Sequence, residues 1–386
     1  MAGLTVRVRA AALALLTAGA VGPRVGAAQT RPAAPAAAPA TLPGRLTDQE
    51  FFAFINDVSE PNGTFPSDNL LSNELTYQQV IPTLLQRTRP GGVYLGVGPE
   101  QNFTYIAALQ PRMAIIFDIR RGNLLLHLVY KSLIELSPDR AEFLSRMYSR
   151  PRPAGLDTAS RVAALFSAIE PEALDTALFR RNRAAVIDHL TKDHGFALSP
   201  GDIDGIKYIY DAFCSAGPAL DYNYPNIGRI GGGYRPTYAD LMLADDGHGV
   251  ERSYLATEAN YRVLRALELD NMLVPVVGNF AGPKAIVAVG AYLRAHHATA
   301  TAFYTSNVEQ YLFQQFDDWS KFYTNVNAVP IDSTSMFIRA VFASARVMPG
   351  LVGNNSATLL SPIGGLLAAF NAGTLRSYAD VVRLSR

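Results

Sequence analysis

The stretch Gly91-Gly92-Val93-Tyr94-Leu95-Gly96-Val97-Gly98-Pro99-Glu100-Gln101-Asn102, followed by Ala114-Ile115-Ile116-Phe117-Asp118, decides the fold. A short apolar run breaks into a Gly-x-Gly turn, a helix-like segment follows, and a second apolar run ends in an acid. Asp118 stands 20 positions after Gly98. Two parallel strands joined by a helix need that spacing, and it leaves the acid at a strand end within reach of a ribose hydroxyl. The pattern predicts a βαβ unit and a place for a nucleotide-like ligand.

The flanks extend it. Residues 77–87 carry Val80, Ile81, Leu84 and Leu85 on one helical face. Residues 123–136 give a further helix after Asp118. A β-α-β-α run argues for a parallel sheet with helices on both faces. The alternation resumes past Val250, with a helix at 254–267, a strand at 272–277, a helix at 282–295 and a strand at 299–304. Weaker helix-like segments lie at 335–344 and 361–371. Between about 137 and 249 the pattern is helix-like pieces separated by Pro/Gly-rich loops, a mostly helical insertion of the kind that shapes ligand sites. The expected fold class is α/β, with a doubly wound, mostly parallel sheet and a helical insertion.

At the start, Arg7 and Arg9 precede an apolar Ala/Leu stretch (residues 10–21), and Gly26-Ala27-Ala28 follow. That order of charge, apolar core and small residues predicts a signal peptide over residues 1–28, hence export to the periplasm or beyond. The alternative is an uncleaved anchor. The apolar run is shorter than the about 20 residues of a comfortable span, so no stable membrane span is expected after cleavage. Residues 29–43 are Pro- and Ala-rich and read as an extended tether. Residues 44–386 remain for the α/β domain, and a 49% hydrophobic fraction can fill its core. A net charge of +1 without a sustained Lys/Arg stripe argues against nucleic acid as a partner. The single cysteine, Cys214, can form no internal disulfide. None of the six histidines stands at a metal-binding spacing, so no metal is expected; His296 and His297, being adjacent, would point about 100° apart on a helix.

Three constellations carry candidate chemistry. At Gly96-Val97-Gly98 the chain can turn sharply, and the helix start near Asn102 offers N–H groups and a positive dipole to a ligand. Gln101 stands where a dinucleotide fingerprint has its third glycine, and a plain tight turn is the alternative. Asp118 can hold a ribose, or instead pair with Arg120 or Arg121, or cap a helix. His127, on the next helix, is either catalytic or structural. In Val276-Val277-Gly278-Asn279-Phe280-Ala281-Gly282-Pro283-Lys284 a strand again feeds a helix through glycines. Asn279 falls at the carboxyl edge of the sheet, where open α/β folds bind ligands. Lys284 in the first helical turn opposes the dipole, which hints at an anion there; a solvated lysine is the alternative. In Tyr304-Thr305-Ser306-Asn307-Val308-Glu309, Ser306 or Asn307 can serve as an N-cap and Glu309 as the usual first-turn acid. No Gly-x-Ser-x-Gly elbow and no P-loop motif is present.

Over residues 77–135 and 270–310 this pattern resembles class I S-adenosylmethionine-dependent methyltransferases. Gly96, Gly98, Asp118 and Asn279 are the matching positions. The sequence departs from the family at Tyr94, where an acid is usual, and at Glu100, where a third glycine is frequent. The chain is also similar to uncharacterised bacterial exported proteins with Gly-Pro-Glu-Gln-Asn and Ser-Asn-Val-Glu-Gln-Tyr segments, a resemblance that brings no activity. The methyltransferase resemblance implies a Rossmann-like fold, S-adenosylmethionine as cofactor, and a ligand site of Gly96, Gly98, Glu100, Asn102, Asp118 and Asn279, with the methyl acceptor unspecified. Export would separate the chain from that cytoplasmic cofactor. The alternative expectation is therefore a non-catalytic exported binding or cell-envelope protein that reuses the fold.

Overall fold

A computed structural model describes residues 41–225, 235–348, 350–351 and 356–385. The expected signal peptide and most of the expected tether lie outside them. The segments β1 (Val93–Val97), β2 (Met113–Asp118), β3 (Leu273–Val277), β4 (Ala300–Ser306), β5 (Met336–Phe342) and β6 (Ser356–Pro362) form one sheet. Its order is β3-β2-β1-β4-β5-β6. All neighbours run parallel except β6, which is antiparallel to β5. Every residue of β1, β2 and β3 is buried, as a parallel sheet covered on both faces requires. Pro275 lacks an N–H to give to a ladder and is tolerated because β3 is an edge strand.

The helix Gln101–Leu109 crosses from β1 to β2, and Arg121–Glu135 then packs against β2 and β3. From there to β3 the chain is helical, with Arg140–Tyr148, Val162–Ile169, Thr176–Asp188, Pro200–Ala216, Tyr238–Leu243 and Glu258–Leu269 and no strand among the described residues. The helical stretch is thus the long β2-to-β3 connection. The first helix, Asp48–Val58, opens on a capping box: Thr47 and Glu50 bond each other's backbone N–H groups. Packing starts inside the expected tether, since Leu42 is buried and its carbonyl accepts from Arg112 at 2.8 Å.

One prediction fails outright. Residues 335–344 read as helix-like, but Met336–Phe342 is β5. Arg339 interrupts an otherwise apolar run of seven and hides its strand character. The interruption survives burial because Glu309 pairs with the guanidinium at 2.7 Å. Residues 361–371 are helical only from Ile363, after β6 ends. Among the described residues no helix is long and apolar enough to cross a membrane.

Strand order reverses between β1 and β4. Successive strands from β1 to β3 build one way, and β4 and β5 build the other. In open α/β sheets such a reversal splays the loops at the carboxyl ends of the two central strands and opens a crevice there.

Candidate functional site

A cleft of about 650 Å³ occupies that crevice, a size suited to a small organic ligand. Every parallel strand contributes its carboxyl end: Gly98 after β1, Asp118 of β2, Asn279 after β3, Ser306 of β4 and Phe342 of β5. The far wall is the loop between the helix Asp48–Val58 and residue 74, with Phe65 and Asn69 facing the strand ends.

Three of the six expected ligand residues, Gly98, Asp118 and Asn279, line this cleft; Gly96, Glu100 and Asn102 stand behind it. The reason is local. The fully buried Asn102 gives its amide N–H groups to the carbonyls of Val97, Gly98 and Pro99 and accepts from Tyr94. Its hydrogen-bonding capacity is spent on holding the turn. Gly96 makes room for it: a Cβ there would lie 2.0 Å from Asn102 Oδ1. Gly98 takes φ +79°, which favours glycine, and has open space around it. His127, also buried, bonds the Gly98 carbonyl through Nε2 at 2.9 Å, and burial pushes its pKa down to about 4. A neutral ring that braces the turn is its role in this structure. Glu100 is buried against the Ser72 N–H, and burial pushes its carboxyl up to about 8.

Asp118 makes the ion pair that was one of its alternatives. Arg120 grips both carboxylate oxygens, through Nε at 2.9 Å and Nη2 at 2.7 Å, and adds its backbone N–H. The same guanidinium reaches the carbonyls of Ser67 and Asp68, so the pair straps the loop wall to the end of β2. Asp118 Oδ2 accepts only from Arg120 among the described residues and keeps a lone pair for a ligand.

The anion hinted at by Lys284 is internal. Glu60 accepts from the backbone N–H groups of Asn279, Lys284 and Ala285 at 2.8–2.9 Å, satisfying the start of the helix Ala285–Ala295. Lys284 itself bonds the Ser59 carbonyl. Asn279 turns its Oδ1 to the Ala281 N–H and leaves its amide group at the cleft.

Sequence reasoning missed a buried acid in the cleft. Glu74 is buried, accepts from the Tyr304 hydroxyl at 2.6 Å and from Ser306, and has no cation beside it among the described residues. Burial pushes its carboxyl up to about 7. Gln101 donates to the same Tyr304 hydroxyl at 2.6 Å. Two acceptors, Glu74 Oε2 and Gln101 Oε1, are buried without partners, an arrangement that calls for donors. An acid in a short stretch without periodicity gives no signal in sequence. Ser306, expected as an N-cap, instead serves Glu74, and the helix Val308–Leu312 has no side-chain cap. Glu309 does not face the cleft and is consumed by Arg339, Tyr323 and Thr305.

The fold and cleft define a mostly parallel α/β protein with a ligand-sized crevice at its switch point. The chain belongs to the family described as Domain of unknown function (DUF7790), whose model matches residues 70–195 and 236–357. That match takes in all five strand ends of the cleft, and Glu74 with them. No curated protein matches the chain.

Proposed function

We propose that this protein binds an adenosyl-type ligand, with S-adenosylmethionine as the first candidate, in the cleft at the β1–β4 switch point, and that it transfers a methyl group to an acceptor. The observation that carries the reading is the convergence of Gly98, Asp118 and Asn279 on one cleft, beside two unpartnered buried acceptors. The amino group of such a ligand supplies the donors that Glu74 and Gln101 lack. Asp118 has the lone pair a ribose hydroxyl needs, and Gly98 lets the ligand approach the backbone. When bound, S-adenosylmethionine supplies an electrophilic methyl group. The chain contributes position above all.

A second reading, a non-catalytic binding protein, draws on a different observation. Arg120 and Glu60 already fill the places where ribose and anion were expected. Fold alone decides neither. The test is a thermal-shift titration of the full chain with S-adenosylmethionine, S-adenosylhomocysteine and NAD. At about 100 times its dissociation constant a ligand stabilises by about 2.7 kcal/mol. Stabilisation by the two adenosyl compounds but not NAD is the expected result; no shift with any of the three overturns the reading.

A further inference from the structure

Far from the cleft, at the other end of the helix Arg121–Glu135, three side chains meet that no spacing in the sequence would group. His189 Nε2 lies 2.8 Å and His194 Nε2 lies 2.7 Å from the same oxygen, Glu135 Oε2. None of the three lines the cleft.

The backbone explains the meeting. Histidines five residues apart stand about 140° from each other on an α-helix and cannot share a ligand. Here the helix Thr176–Asp188 passes into a π turn, His189–Asp193, closed by the His194 N–H on the His189 carbonyl at 3.0 Å. A π turn nearly superposes positions five apart, and such turns are rare and frequent at functional sites.

The second ring nitrogens are also engaged. His189 Nδ1 lies 2.8 Å from Asp193 Oδ2, and His194 Nδ1 lies 2.6 Å from Asp48 Oδ1. All four ring nitrogens therefore face carboxylate oxygens. A neutral imidazole has one N–H and one lone pair. Hydrogen bonds alone would require both rings to be cations, 4.7 Å apart, held by the carboxylates of Glu135, Asp193 and Asp48. A divalent ion between the Nε2 atoms and Oε2 carries the same charge as the two extra ring protons and needs no second N–H on either ring. Each ring is then neutral, donates Nδ1–H to its aspartate and turns a lone pair to the metal, the usual carboxylate–histidine–metal arrangement. Phe196 stacks on His194 at 4.9 Å and fixes its plane. The histidine side chains are 16% and 13% exposed and Glu135 is 3% exposed, so an ion can enter from solvent.

We infer that Glu135, His189 and His194 bind a divalent transition ion of the Zn²⁺ class, with three protein ligands and a fourth position open to water. The ion ties the π turn to the helix Arg121–Glu135 and, through Asp48, to the first helix. All three ligands fall within the matched family segment 70–195.

The experiment is calorimetric titration of the chelator-treated full chain with Zn²⁺, with bound metal counted by elemental analysis. One ion per chain is expected, lost in His189→Gln and in His194→Gln and retained in His296→Gln. Asp193→Asn, at an exposed position, should fold normally and weaken binding by about 10- to 100-fold. If the folded wild-type chain takes up no stoichiometric Zn²⁺, or if both histidine variants bind as wild type does, the inference is overturned.

Discussion

Two turns of this protein share one local grammar. After β1 and after β3 an apolar strand runs into a glycine turn and then into a helix, and both turns reach the same cleft. They differ in what meets the helix start. After β1 no side chain caps Gln101–Leu109, and the polar side chains (Asn102, His127) hold the turn's carbonyls from behind. After β3 the N–H groups of Asn279, Lys284 and Ala285 are closed by Glu60, a residue more than 200 positions away. One helix start has no side-chain cap among the described residues, and the other is filled by the chain. A strand-glycine turn-helix pattern therefore specifies a backbone shape, and distant residues decide whether that shape receives a ligand.

The largest break in this comparison is at Glu60. Its three backbone donors are charge-assisted, and Glu60→Ala should cost about 3 kcal/mol in urea unfolding, since each such bond contributes about 1 kcal/mol or more. Gly282→Ala tests the same contact from the other side, because its Cβ would lie 2.2 Å from Glu60 Oε2. A loss of under about 1 kcal/mol for both would mean that water serves these donors as well as Glu60 does.

The open turn should also leave a mark on the pH dependence of stability. Glu74, in the cleft, and Glu100, behind the turn, are pushed up to about 7 and about 8 by burial. The folded chain thus keeps protons that the unfolded chain releases near 4.5. Between about pH 4.5 and 8 these two groups bind more protons in the folded state, so their contribution to stability falls as pH rises. Urea midpoints should be higher near pH 5 than near pH 8.5. Glu74→Gln should flatten the slope and gain about 2 kcal/mol at about pH 8.5. A slope unchanged by that substitution would remove Glu74 as its source. A ligand with a cationic amino group should also bind more tightly as pH rises through about 7, where Glu74 ionises.

How much of this was legible depended on how local the cause was. The βαβ unit was readable because β1, the helix Gln101–Leu109 and β2 each announce themselves within a few residues. The Thr47-Asp48-Gln49-Glu50 capping box is equally local, complete within four residues. β5 was not, because Arg339 looks wrong for a buried strand until Glu309 is beside it. Asp118 reached its strand end as expected, but the choice between ribose and ion pair depended on where Arg120 lay. Glu60 and Glu74 carry no pattern at all: one sits in a loop defined by Pro61-Asn62-Gly63, the other between short apolar stretches. His189 and His194 stand at no recognised metal-binding spacing in the sequence; only the π turn His189–Asp193 brings their rings together.

The smallest expected effect on stability sharpens the comparison most. Gly98 has φ +79°, and a methyl carbon added to it would find no atom nearer than 3.8 Å. Gly98→Ala therefore meets conformational strain without a clash and should cost about 1 kcal/mol. Gly282→Ala is the reverse case, a collision with the carboxylate of Glu60. If the turn after β1 receives a ligand against its backbone, the added methyl stands in the contact and should weaken adenosyl-ligand binding by tenfold or more, beyond any effect on folding. If the turn is only a turn, the two measurements should separate differently: Gly98→Ala would show its about 1 kcal/mol in unfolding and wild-type affinity in titration. The same methyl group thus reads strain in one assay and occupancy in the other, and only occupancy distinguishes the open turn from the closed one.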